Sequence, residues 1–289
     1  MHRLALVLSL LLGLTAAPSA IKADDEEDTA NGGGEIETPV ARQDVFSVNV
    51  TLLGSQVRRT FIVLDEGGID VADLAEGEAP PPLLRYRASG ARAADRAEGR
   101  INPVLNVPSA RLELPRRTGA IEFARLVNPS PDAEESWETY TSIDLTAGRP
   151  ASVFLARSAN GTWSDPPRVV VLPDDLDSFP ERSVRVVNFA SLPLIGLIGD
   201  EAIQLRPGSE TVVTPEAGEE AALLQVAAVD ADGTRHPAIN TGRTLRPGDR
   251  IVIAVWDYNG NDPDNHPTPV DSTLFYQPEP LAPPATDEE

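Results

Sequence analysis

The chain has 289 residues, no cysteine, and 45 acidic against 24 basic side chains, for a formal net charge of −21. The missing thiols exclude disulfides, thiolate metal sites, thiol catalysis and lipid attachment at an N-terminal Cys. So strong a negative balance repels phosphate backbones and anionic lipid, which sets nucleic acid and membrane surfaces aside as partners.

In chain order, Met1-His2-Arg3 gives a short positive start, Leu4 to Leu14 an apolar run, and Ala16, Ala17, Ser19 and Ala20 small residues fit for cleavage. This order predicts a secretory signal peptide over residues 1–20. The run is too short to span a bilayer, and no later segment is apolar for long enough to form a transmembrane helix. The expected address is periplasmic or secreted, and export without disulfides fits a bacterial envelope protein. Residues 21–42 carry Asp24-Asp25-Glu26-Glu27-Asp28 and then Gly32-Gly33-Gly34. They hold too little apolar surface to offset the entropy of ordering, and are predicted to be an acidic disordered linker. Residues 278–289, with Pro278, Pro280, Pro283 and Pro284, read as a second disordered tail.

Between these ends lie short runs rich in Val, Ile, Leu and Thr, punctuated by Pro, Gly, Asn and Asp. Runs at 45–53, 59–64, 83–86, 110–114, 120–127, 140–145, 151–156 and 168–172 predict one set of strands. Those at 183–189, 194–198, 202–205, 210–213, 222–229, 250–257 and 272–276 predict a second. The spacing predicts an all-β protein of two antiparallel, immunoglobulin-like β-sandwich domains, 43–173 and 181–277. Residues 87–100, rich in Ala and Arg, are read as a helical turn or two. Leu205-Arg206-Pro207-Gly208 and Leu245-Arg246-Pro247-Gly248 predict tight reversals, with Pro presetting φ and Gly taking the positive value. Leu145-Thr146-Ala147-Gly148 is a weaker copy, followed like Leu245–Gly248 by a run and then an Asn-Gly pair (Asn160-Gly161, Asn259-Gly260). The two halves therefore read as two copies of one plan.

The stretch from Leu172 to Gly208 contains Asp174-Asp175, Phe179-Pro180, Val184 to Asn188 and the Leu-Arg-Pro-Gly turn. It resembles the second half of uncharacterised exported bacterial proteins with two small β-sandwich-like domains and no assigned activity. The resemblance implies a fold and an address, and no reaction.

Chemistry-bearing residues concentrate after residue 256. Asp257, Asn259, Asn261, Asp262 and Asp264 could gather oxygens around calcium. The alternate spacing of the first three fits the start of an EF-hand loop, but Asp262 stands where that loop needs Gly and Thr268 where it needs Glu. The alternative is a polar turn whose Asx side chains satisfy their own backbone. His266 adjoins this loop and could pair with Asp264. Trp137, Trp256 and Tyr258 are the candidate platform for a carbohydrate, against the alternative that a sandwich keeps its few aromatics in its core. Neighbouring carboxylates at Glu134-Glu135, Asp174-Asp175 and Glu219-Glu220 could serve a hydrolase, but in an acidic chain they read as solvated surface. No nucleophile elbow or His-Glu-x-x-His occurs. The expectation is a protein without catalytic activity and without a cofactor, calcium excepted. Its partner would be an envelope protein or polysaccharide.

Overall fold

The computed structural model describes residues 45–57, 61–63, 69–71, 74–90, 92–127, 134–159, 161–216, 221–260 and 266–277. The predicted leader, both predicted acidic tails and Asn261, Asp262 and Asp264 lie outside these residues. The described residues form one compact unit. Its strands are β1 (Val45–Leu53), β2 (Phe61–Val63), β3 (Ile69–Val71), β4 (Leu84–Gly90), β5 (Ala97–Ile101), β6 (Leu112–Pro115), β7 (Thr118–Leu126), β8 (Trp137–Asp144), β9 (Ala151–Ala156) and β10 (Arg168–Pro173). They continue with β11 (Ser183–Asn188), β12 (Leu194–Ile198), β13 (Glu201–Leu205), β14 (Glu210–Val213), β15 (Ala222–Val229), β16 (Arg235–Arg243), β17 (Arg250–Asp257) and β18 (Val270–Tyr276). The fold is all-β, two sandwiches in sequence.

The first sandwich pairs a sheet of order β10-β9-β1-β6 with one of order β5-β4-β7-β8. The second pairs β18-β17-β11-β14 with β13-β12-β15-β16. Strand for strand, the second repeats the first, with the β2–β3 hairpin inserted between β1 and β4. Gly148, Gly208 and Gly248 hold φ of 73°, 77° and 85° at the three predicted reversals.

Each sandwich has its own core. Val48, Val50, Leu52, Val153 and Leu155 face Leu84, Ile121, Phe123 and Ile143 in the first. Val184, Val186, Ile251, Ile253 and Val255 face Leu194, Ile198, Leu224 and Val226 in the second. A third cluster joins the two: Leu53, Phe154, Ala156, Leu172, Phe179, Val187, Phe189, Val252, Ala254, Trp256 and Phe275. The two inner sheets thus pack against each other, and four layers of sheet result. This explains a departure from purely antiparallel order. The middle pairs β1–β9 and β11–β17 are parallel, an arrangement found where both faces of a sheet are covered.

Two local readings are corrected. Residues 87–100 form no α-helical turn; they complete β4, make a three-residue 3-10 turn at Ala93–Asp95 and enter β5. Of the Arg residues in that stretch, Arg87 and Arg100 lie instead on a strand pair, opposite Glu98 and Arg85. The strand β16 was hidden by its polar sequence and Pro237. It pairs on one side only, with β15, where an edge tolerates both.

Candidate functional site

The densest polar chemistry is buried in the seam between the sandwiches. Asp174, which follows β10, is fully buried. Its Oδ1 accepts from Arg250 Nη1 at 2.9 Å, and its Oδ2 from Gln277 Nε2 at 3.0 Å and Asn49 Nδ2 at 3.2 Å. Gln277 Nε2 also donates to Ser152 Oγ at 2.9 Å. Arg185 adds donations to the carbonyls of Pro173 and Ser178 and an ion pair with Glu210 at 3.2 Å. Both guanidinium groups lie over Phe179, at 4.4 Å for Arg185 and 5.1 Å for Arg250. The strands explain the convergence. Asn49, Ser152, Arg185 and Arg250 are among the residues of β1, β9, β11 and β17 that point away from their own sandwich core.

The repeat accounts for the centre of this cluster. Asp174 follows β10 and Gln277 follows β18, and each donates its backbone N–H to the carbonyl at the start of the penultimate strand, Pro150 just before β9 or Arg250 opening β17. Equivalent positions of the two copies therefore meet. Burial pushes the Asp174 carboxyl up, and Arg250, Gln277 and Arg185 pull it back without cancelling the rise. A shifted, buried carboxyl is a common mark of an active site, yet here it is sealed from solvent and its oxygens are committed to neighbours. The expectation of a solvated Asp174 is overturned. Asp175 beside it, tied to Arg149 at 2.6 Å, does reach the surface.

Of the predicted calcium loop, Asp257 and Asn259 are described. Asn259 is buried, and its side chain latches the seam at the end opposite Asp174. Its Oδ1 accepts from the Ser55 N–H at 2.8 Å, its Nδ2 donates to the Arg157 carbonyl at 3.2 Å, and its own N–H donates to Ser55 Oγ at 3.1 Å. Asp257 Oδ1 accepts from both N–H and hydroxyl of Ser191, at 2.9 and 2.8 Å. Among the described residues no three acidic or histidine side chains gather as a metal site would require. His266 stacks on Tyr258, ring centroids 3.7 Å apart, and its Nδ1 lies 2.6 Å from the Thr268 carbonyl.

The three aromatic candidates are not brought together. Trp256 is only 2% exposed, in the third core, with its indole N–H donating to Ser55 Oγ at 3.3 Å. Its strand alternates between two cores, so neither face was available for a platform. Trp137, at the start of β8, is half-buried. Arg85 and Arg100 lie 4.9 and 5.3 Å from its ring centre, and its N–H donates to Glu135. Glu135 in turn holds Arg100 through two bonds, at 2.9 and 2.7 Å. The ring face that would stack on a sugar is thus shared with guanidinium groups. Sequence reasoning missed Asn49, Arg185, Arg250 and Gln277 altogether. Their only signal was a polar residue within an apolar run, for Asn49 and Arg185, or at the end of one, for Arg250 and Gln277.

No known family model matches the chain. No curated protein matches it either. Among the solved structures that bear a likeness are the following two. One is a candidate cell adhesion protein of Bacteroides eggerthii, 8% identical, TM-score 0.24, aligned over 82% of this chain and 97% of that one. The other is a candidate cell adhesion protein of Parabacteroides distasonis, 10% identical, TM-score 0.21, over 84% and 99%. Likeness at that level carries no functional information.

Proposed function

We propose that this is an exported, non-catalytic binding or structural protein of the bacterial cell envelope, in which two sandwiches are fused into one rigid body that presents its outer loops and sheet faces. The sealed seam is the observation that supports this reading. The side chains best suited to chemistry, Asp174, Arg185 and Arg250, are spent on joining the halves. What reaches solvent is the outer sheets and loops, the parts of a sandwich that serve as contact surfaces. Among the described residues, no helix is long and apolar enough to cross a membrane.

Two measurements test the two parts of the reading. Expressed from its full sequence in a bacterium, the protein is expected outside the cytoplasm with an N-terminus beyond Ala20. Recovery from the cytosol with Met1 in place overturns export. Amide relaxation should give one rotational correlation time for both sandwiches, whereas separate values overturn the rigid body.

A further inference from the structure

We propose that the outer sheet face of the second sandwich is a self-association surface, on which a second copy of this chain docks about a twofold axis. The sheet has the order β13-β12-β15-β16, and all four strands lie within the described residues. Alternate residues of each strand point away from the core. Cross-strand pairing places Ala227 between Ile195 and Pro237, and Leu197 beside Ala202 in the next row. These five residues line a shallow groove of about 490 Å³.

Charge decides the occupant. Of the charged residues on these strands, Glu201 and Arg243 stand level with the inward-facing Ile198 and Ala222, and only Arg235, at a corner, points outward. The matching face of the first sandwich sets Arg85, Arg87, Glu98, Arg100 and Glu122 on neighbouring strands. A chain of net charge −21 repels its own copy, so two copies meet closely only through surfaces that carry no charge. Laying the neutral face of one copy on the charged face of another would bury unpaired charges, at a cost in stability. Neutral face against neutral face avoids that cost. Such an isologous contact closes as a dimer, where the head-to-tail alternative would grow as a filament.

The face is also complementary to itself. Gln225 and Asn240 stand opposite each other, and Gln225 Nε2 donates to Asn240 Oδ1 at 3.2 Å. That bond leaves an acceptor on Gln225 and a donor on Asn240, a pair that two copies related by a twofold axis can exchange. The seam is a precedent within the molecule, since there two sheets already pack through the faces turned away from their own sandwich cores. The free edge of β16 is the poorer route. Pro237 and the irregular register at Val226/Ala227 both discourage addition of a strand. Strand spacing and rise give the face a footprint on the order of 400 Å² per copy. That is toward the small end of specific interfaces, so a reversible dimer with a Kd on the order of 10 μM is expected.

The inference goes beyond the envelope reading above and needs neither export nor a foreign partner, so its failure and a failure of that reading are separate results. The test is sedimentation equilibrium on the full chain from about 1 to about 500 μM, a range that brackets the expected Kd. A monomer–dimer equilibrium is expected. It should tighten several-fold when salt is raised from about 20 mM to about 0.5 M, because screening removes the repulsion between copies. Leu197→Arg should weaken the dimer about tenfold or more, with the β circular dichroism unchanged. If that variant misfolds, Gln225→Glu sets like charges against each other across the interface and should still weaken the dimer several-fold. The charge-conserving Arg87→Gln/Glu98→Gln, on the outer face of the first sandwich, should leave the Kd within about twofold. A monomer at every concentration, growth beyond the dimer, or equal loss in the variants of the two faces overturns the proposal.

Discussion

The two sandwiches share eight strands in one order, yet they differ in what they show to solvent. Residues 45–173 carry 14 arginines against 16 carboxylates, while residues 174–277 carry seven against 17. The outer sheet of the first presents Arg85, Arg87 and Arg100 on neighbouring strands. That of the second presents Ile195, Leu197, Ala202 and Ala227 around a shallow groove. Their inner sheets, by contrast, stay complementary. Phe154 and Ala156 of β9 occupy the places of Ala254 and Trp256 of β17, so a large residue in one copy answers a small one in the other. The plan constrains the faces turned toward each other and leaves the outer ones free to diverge.

Substitutions at equivalent positions sharpen this contrast. Trp256→Ala should cost about 3–5 kcal/mol, the range for emptying a buried aromatic site, read as a lowered urea midpoint. A loss under about 1 kcal/mol, typical of surface positions, would mean that the seam is not a core. Asp174→Ala removes the carboxylate from a buried Arg250 and should cost about 3–5 kcal/mol. Its counterpart Gln277→Ala, a neutral donor, should cost about 1–2 kcal/mol. Equal costs would break the asymmetry drawn between them. Asn259→Ala strands the Ser55 N–H and the Arg157 carbonyl, and about 1–3 kcal/mol should be lost. That loss should be the same with millimolar calcium or with chelator, because this side chain is engaged by protein. A loss that changes with calcium would show this side chain serving a metal instead.

The smallest effect is a pH dependence that separates two adjacent carboxyls. Asp174 is raised by burial, so the folded state binds its proton more tightly than the unfolded chain does. Its favourable contribution is full below the unfolded value near 3.8 and lost as pH rises through the folded value. Burial also pushes Asp175 up, but the hydrogen bonds from Arg149 and Ser178 outweigh it and hold it below its ordinary value. Its contribution is present above the unfolded value and lost as pH falls. In the acid range Asp175→Asn should therefore flatten the decline in stability, and Asp174→Asn should steepen it. Unfolding midpoints measured across that range decide the matter, and the same sign for both variants would refute the assignment.

Much of the fold could be read directly. The glycines at 148, 208 and 248 declared their turns because only positive φ closes them. The runs at 45–53, 151–156 and 250–257 declared strands. What stayed hidden was the second layer of burial. Ser47, Asn49 and Thr51 alternate with valines as solvent-facing residues do, yet all three are buried. Nothing local distinguishes a polar residue that meets water from one that meets Asp174, because its partners come from residues 152, 174, 185, 250 and 277. Asn259 was picked out for its oxygen, and it does use it, on a backbone amide 204 positions away. Trp256 was sought as a surface ring because half its strand already had a core to fill.

The parallel pairing of β1 with β9 and of β11 with β17 bears on how the chain acquires its fold. Each inner sheet is completed only when a segment dozens of residues downstream returns to lie beside the first strand, a high-contact-order arrangement that slows the search. Val48 waits for Ala151, and Val184 for Ile251. Gln277, just past β18, bridges Ser152 to Asp174 and so stitches the last strand to the first sandwich. A nascent chain that stops short of it holds a carboxylate with one fewer donor at the join.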